Sequence, residues 1–110
     1  MQIDVQRQDA AAIVRLNGRL DPLSAADVKG RLGQVVADGA RRVVVDLGEV
    51  PFIDSSGLGA LIGGLKAARQ AGGDLRLARP AQQAQTILEL TTLNRVLRPY
   101  ATVEEALAGF

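Results

Sequence analysis

Residues 52 to 64 read FIDSSGLGALIGG, and within them Asp54, Ser55 and Ser56 set one carboxylate and two hydroxyls directly before a glycine and an apolar run. Such residues serve four kinds of chemistry: a serine nucleophile, a glycine-rich phosphate cradle, an acceptor for a phosphoryl group, or a helix cap. A nucleophile elbow requires G-x-S-x-G, whereas Ile53 stands two residues before Ser55 and Asp54 two before Ser56. The chain also contains no histidine and no cysteine. Ser-His-Asp and Cys-His catalysis, disulfides and thiolate or imidazole metal sites are thereby removed together. Gly57, Gly59 and Gly63 are spaced G-x-G-x-x-x-G rather than G-x-G-x-x-G, and Lys66 follows Leu65 where a P-loop lysine follows glycine. Glycines so placed in a helix let a neighbouring backbone come close. Two readings survive. Aspartate or serine at a strand-to-helix junction accepts backbone N–H bonds and complements the helix dipole. Capping needs only one such residue, however, and a phosphate on the second hydroxyl would face free N–H groups and the positive end of the helix.

Asp21, in GRLDPLSA, enters the same question. Its ordinary role is to stabilise a turn before proline, but its loop and the DSSG turn leave neighbouring strands and can meet at one end of a sheet. Glu104, Glu105, Arg76 and Arg79 read as solvated faces. Asp21, Asp46 and Asp54 as a metal-assisted centre match no calcium-loop spacing, so no metal, cofactor or catalytic residue is expected.

The elements that must position these residues follow from periodicity. Ile3 and Val5, then Ile13, Val14 and Leu16, make two short strands joined at Asp9. Gly18 and Pro22 punctuate a loop, Ser24 and Asp27 resemble a capping box, and Val28, Leu32, Val35 and Val36 recur at helical spacing up to Gly39. The β-branched run RRVVVDL, residues 41 to 47, suits a central strand buried on both faces. Leu58, Leu61, Ile62, Leu65 and Ala68 mark a second helix stopped by Gly72 and Gly73. DLRLA is a fourth strand, AQQAQTILELTTL a third helix with Ile87 and Leu88 inward, and Val96-Leu97 a last short strand. A terminal helix capped by Thr102 turns Val103, Ala106, Leu107 and Phe110 inward. The order β-β-α-β-α-β-α-β-α implies an α/β fold with a mixed sheet of about five strands and right-handed parallel crossovers.

The 110 residues fit one domain, 1–110, with an aliphatic core: 47% of them are hydrophobic and only 3% aromatic. Thirteen basic residues against 12 acidic ones, scattered and without interleaved aromatics, argue against a nucleic-acid surface. Neither a signal segment nor a bilayer-spanning apolar run is apparent. A cytoplasmic, monomeric protein without membrane association is the expectation.

The hairpin followed by G-R-L-D at 18–21, the strand RRVVVDL and above all FIDSSGLGALIG, 52–63, resemble the anti-sigma factor antagonists, single STAS domains that relieve inhibition of an alternative sigma factor. The similarity in order and length covers nearly the whole chain. It implies that Ser55, the serine directly after the aspartate, is phosphorylated by a partner that is both anti-sigma factor and serine kinase, and that a serine phosphatase restores it. It also implies that Asp21, Asp54, Ser56, Gly57 and Leu58 form the partner-binding surface. Pro22 beside Asp21 is a local peculiarity. On this reading the chain is a binding module rather than an enzyme. The alternative is a constitutive STAS accessory subunit of a transporter or signalling complex with no phosphate cycle.

Overall fold

The computed structural model describes residues 1–110. Two antiparallel strands open the chain, β1 (Gln2–Gln8) and β2 (Ala11–Asn17), paired from Gln2 with Asn17 to Gln8 with Ala11. They are joined at Asp9 and Ala10, where Asp9 takes a left-handed conformation that aspartate tolerates better than most residues. Helix α1 (Ala25–Ala37) crosses over to β3 (Arg42–Glu49), and α2 (Ser55–Gln70) to β4 (Asp74–Ala78). Helix α3 (Gln82–Leu90) and a single 3₁₀ turn (Leu93–Arg95) lead to β5 (Pro99–Tyr100), and α4 (Val103–Ala108) closes the chain. The sheet runs β1-β2-β3-β4-β5, antiparallel at its first pair and parallel thereafter. Element order and mixed sheet are those expected from the residues.

The core has two unequal parts. Val28, Leu32, Val35 and Val36 of α1 and Leu58, Leu61 and Leu65 of α2 bury themselves on the sheet face formed by Ala12, Val14, Val43, Val45, Leu75 and Leu77, joined by Ala84 and Leu88 of α3. The opposite face carries a smaller cluster in which Val103 and Ala106 of α4 cover Ile13, Val44 and Ala78. Central β3 is thus covered on both sides, as its unbroken β-branched run requires.

Several expectations are corrected. The last strand lies at Pro99–Tyr100, past Val96-Leu97. Leu97 is apolar because it is fully buried, and pairing with β4 begins only where Leu77 N–H bonds the Arg98 carbonyl. Helix α3 stops at Leu90, since the Thr91 hydroxyl turns back to the Ile87 carbonyl at 2.7 Å and Thr92 is left-handed. Ser24 makes no capping bond to α1. Arg76, expected in solvent, is 8% exposed: its guanidinium lies 4.4 Å from the Phe110 ring and donates to the Tyr100 hydroxyl at 2.9 Å. Phe110 accordingly covers Arg76 instead of entering the core, because α4 roofs the face of β4 from which Arg76 projects.

Candidate functional site

Ser55 is the first residue of α2, with its side chain exposed. Asp54 is the cap: its backbone is extended, and its Oδ1 accepts from the Gly57 N–H at 3.0 Å. With Asp54 capping, the Ser55 hydroxyl is left without a structural task. The Ser55 and Ser56 N–H groups have no acceptor within the chain, as expected of a first helical turn. The turn therefore presents a free hydroxyl beside unpaired donors at the positive end of a 16-residue helix.

Two clamps hold this turn in place. Leu20 N–H donates to the Phe52 carbonyl at 2.9 Å and Asp54 N–H to the Leu20 carbonyl at 3.2 Å, a one-residue parallel bridge between Leu20 and Ile53. From the other side the Gln83 side chain of α3 spans Ile53, accepting from its N–H at 2.9 Å and donating to its carbonyl at 2.8 Å. Gly57 is needed here because a Cβ would lie 2.5 Å from the Leu20 carbonyl oxygen. The bridge brings the GRLD loop against the DSSG turn, so Asp21 and Asp54 flank one edge of the sheet, both partly exposed.

The GRLD loop is itself tied down. Asp21 Oδ1 accepts from Leu23 N–H at 3.0 Å, and the buried Ser24 hydroxyl donates to the Arg19 carbonyl at 2.8 Å and accepts from Asp21 N–H at 3.2 Å. That local bonding replaces the capping role expected of Ser24. The Arg19 guanidinium stacks 4.2 Å from the Phe52 ring and lies 3.7 Å from Asp21.

Of the residues singled out in the sequence, Asp21, Asp54, Ser55 and Ser56 come together at this edge with their side chains at least partly in solvent. Gly57 and Leu58 sit beneath it, buried; Leu58 is 6% exposed and belongs to the main core. Asp46 does not join the group. Its buried carboxylate accepts Arg79 Nε at 2.9 Å and Nη2 at 3.0 Å and the Gly48 N–H at 3.0 Å, with Arg15 at 3.4 Å. Burial alone would raise the Asp46 carboxyl; the Arg79 fork, the Gly48 N–H and the charges of Arg79 and Arg15 outweigh it and hold the group below its ordinary value. Arg79, expected on a solvated face, does keep 47% of its side chain exposed, while a left-handed backbone at the end of β4 turns its guanidinium back over Gly48 onto Asp46. No three Asp or Glu residues approach one another closely enough to hold a metal ion, and no helix is long and apolar enough to cross a membrane.

Sequence reasoning missed Gln83, Phe52, Arg19 and Leu23. Gln83 bonds a residue 30 positions away, which no local pattern announces. Leu23 carried a legible signal, an apolar residue between Pro22 and Ser24 outside any periodic run.

Residues 2–106 match the family model described as the STAS domain. The chain is 27% identical over 108 residues to the anti-sigma F factor antagonist of Paenibacillus polymyxa, covering 97% of this chain and 92% of that one. It is 29% identical over 97 residues to the anti-sigma-B factor antagonist of Staphylococcus aureus, covering 88% and 90%. Among solved structures, an anti-sigma factor antagonist from Mycobacterium paratuberculosis superposes with a TM-score of 0.86 at 27% identity, over 98% of this chain and 92% of that one. With the STAS model matched along nearly its full length, the chain belongs to the STAS domain family.

Proposed function

We propose that this chain is an anti-sigma factor antagonist acting by partner switching in the cytoplasm. Unphosphorylated, it binds as a monomer to an anti-sigma factor that is also a serine kinase; phosphorylation of Ser55 by that partner releases it, and a serine phosphatase restores it. Its role is binding, with no reaction catalysed by its own residues. The observation that carries this reading is the exposed Ser55 hydroxyl, spared from capping by Asp54, on a turn clamped from both sides. Antagonist names among full-length relatives supply the partner's class.

The physics favours a switch at this position. A phosphate adds about −1.5 to −2 charges and three acceptor oxygens, which the free N–H groups and the helix dipole accommodate without unfolding α2. A carboxylate or nucleotide phosphate of the partner about 6 Å away would repel each added charge by roughly 3 kcal/mol at an effective dielectric near 20, less where water screens. Since about 1.4 kcal/mol is tenfold in affinity, that repulsion suffices to disengage a partner. Asp21, Asp54 and Ser56 would make the direct contacts, while Gly57 and Leu58 shape the turn from below.

The test is intact mass with site mapping after incubation with ATP and an extract of the native cells, beside a Ser55→Ala control. One added phosphate on Ser55, absent in the control, is the expected result. No phosphate in an extract with demonstrably active kinases, or equal affinity of wild type and Ser55→Asp for the captured kinase, would overturn it.

A further inference from the structure

Leu23 is 94% exposed, the most exposed large apolar side chain of the molecule. A lone surface leucine needs no explanation; the way this one is held does. Leu20 on one side is fully buried and Ser24 on the other is 5% exposed. Between them the backbone is pinned by the Asp21 carboxylate on the Leu23 N–H, by the Ser24 hydroxyl on Arg19 and Asp21, and by the Ser24 and Ala25 N–H groups on the Asp21 carbonyl. Pro22 fixes one more backbone angle. Leu90, 80% exposed, is the last residue of α3 and lies outside the hydrogen bonds that join this loop to the DSSG turn. Leu23 is thus a pre-ordered apolar knob, and none of the bonds that order it gives the side chain a partner within the chain.

We propose that Leu23 is the apolar anchor of the interface with the protein that phosphorylates Ser55, seating in an apolar socket beside that protein's catalytic centre. The inference rests on the Ser55 reading above. Phosphoryl transfer requires the kinase to reach within bonding distance of the Ser55 oxygen. The Leu23 loop is hydrogen-bonded to that turn through Leu20, three residues away from Leu23, on Phe52 and Asp54, so an interface of standard size, roughly 800 Å² per partner, centred on the turn takes in the loop. A knob already held in its bound shape loses little entropy on docking, the property that makes an anchor efficient. Fully burying a leucine side chain corresponds to a tenfold to hundredfold change in affinity on the usual scale.

The test measures the initial rate of Ser55 phosphorylation by the native-cell kinase fraction with ATP, against concentration of wild type, Leu23→Ala, Leu23→Asp and, as a surface-leucine control, Leu90→Ala. The expected result is a KM raised about tenfold or more by Leu23→Ala and further by Leu23→Asp, with an unchanged maximal rate and no effect of Leu90→Ala. Both positions are exposed, so folding is not at stake. Phosphorylated wild type with an unaltered KM for Leu23→Ala, or a lowered maximal rate alone, overturns the anchor and leaves the Ser55 reading intact. Wild type that accepts no phosphate overturns the Ser55 reading and the anchor with it.

Discussion

Asp54 carries the cap of α2 and leaves the neighbouring Ser55 hydroxyl out of it. Asp54 satisfies the Gly57 N–H, so Asp54→Ala costs about 1 kcal/mol of stability, whereas Ser55→Ala leaves the melting temperature within the error of surface substitutions; thermal melts of the two proteins side by side check the contrast. Asp46 carries a different kind of stability. Its folded-state pKa lies below the ordinary value of 3.8, so its contribution is fully present above that value and is lost as pH falls through the lower, folded-state one. Unfolding measured from neutral pH downward is expected to show wild type losing stability more steeply than Asp46→Asn in the acid range, and the variant less stable at neutral pH by about 1–3 kcal/mol, because Gly48 and the arginines lose a charged acceptor. Gln83 offers a test of the clamp: Gln83→Leu strands the N–H and carbonyl of Ile53, itself 1% exposed. A loss of about 1–3 kcal/mol, with faster amide exchange at Ile53 and along the first turn of α2, is the expected outcome.

At the scale of elements, α2 is a helix whose glycines have opposite meanings. A Cβ on Gly57 would strike the Leu20 carbonyl oxygen and side chain, prising the GRLD loop from the DSSG turn, while a Cβ on Gly59 meets nothing within 4 Å. Gly59→Ala is therefore expected to stabilise the protein by about 0.5–1 kcal/mol, the gain of alanine over glycine in a helix interior. Gly57→Ala should destabilise it by about 1–3 kcal/mol, as overpacking does. Denaturant titration of both variants decides, and equal signs would contradict the close approach. Gly73, in the turn three residues past the end of α2, is constrained more tightly still: its Cβ would lie 2.0 Å from the Arg41 carbonyl oxygen, where the chain enters β4 alongside β3.

For the whole molecule, most of the stabilisation lies in one apolar cluster between the sheet and α1, α2 and α3, with 24 buried residues, against five in the cluster between α4 and the opposite face. Leu61 is fully buried in the larger one. Leu61→Ala is expected to cost about 2–5 kcal/mol, a large part of the total stability of a domain this size, and to lower the melting temperature by ten degrees or more on the order-of-magnitude scale for small domains. This division of the core also explains where a binding surface can exist. The edge carrying Ser55, Asp21 and Leu23 lies where strand ends turn into loops, and it is held by hydrogen bonds to Leu20 and Gln83 together with burial of Leu20, Ile53 and Leu58, so the side chains of Ser55, Asp21 and Leu23 stay at least partly in solvent.

What the amino-acid sequence determined by itself was whatever depends on neighbours close along the chain. Period-two and helical spacing of Val, Ile and Leu marked the sheet, the first two helices and their ends at Gly39 and Gly72-Gly73, since burial of a continuous face imposes that spacing. The DSSG stretch announced a helix start, but that Asp54 is the residue that caps it was decided by the structure. What only the tertiary structure decided was pairing at long separation: Arg79 with Asp46 across 33 residues, Gln83 with Ile53 across 30, and Leu20 with Ile53. Arg79 and Gln83 look like ordinary solvated residues until the parallel crossovers bring them beside a buried carboxylate and an unpaired peptide. Buried polar groups must find partners, and which partner lies within reach is fixed by how the strands are ordered, a property that no local stretch contains.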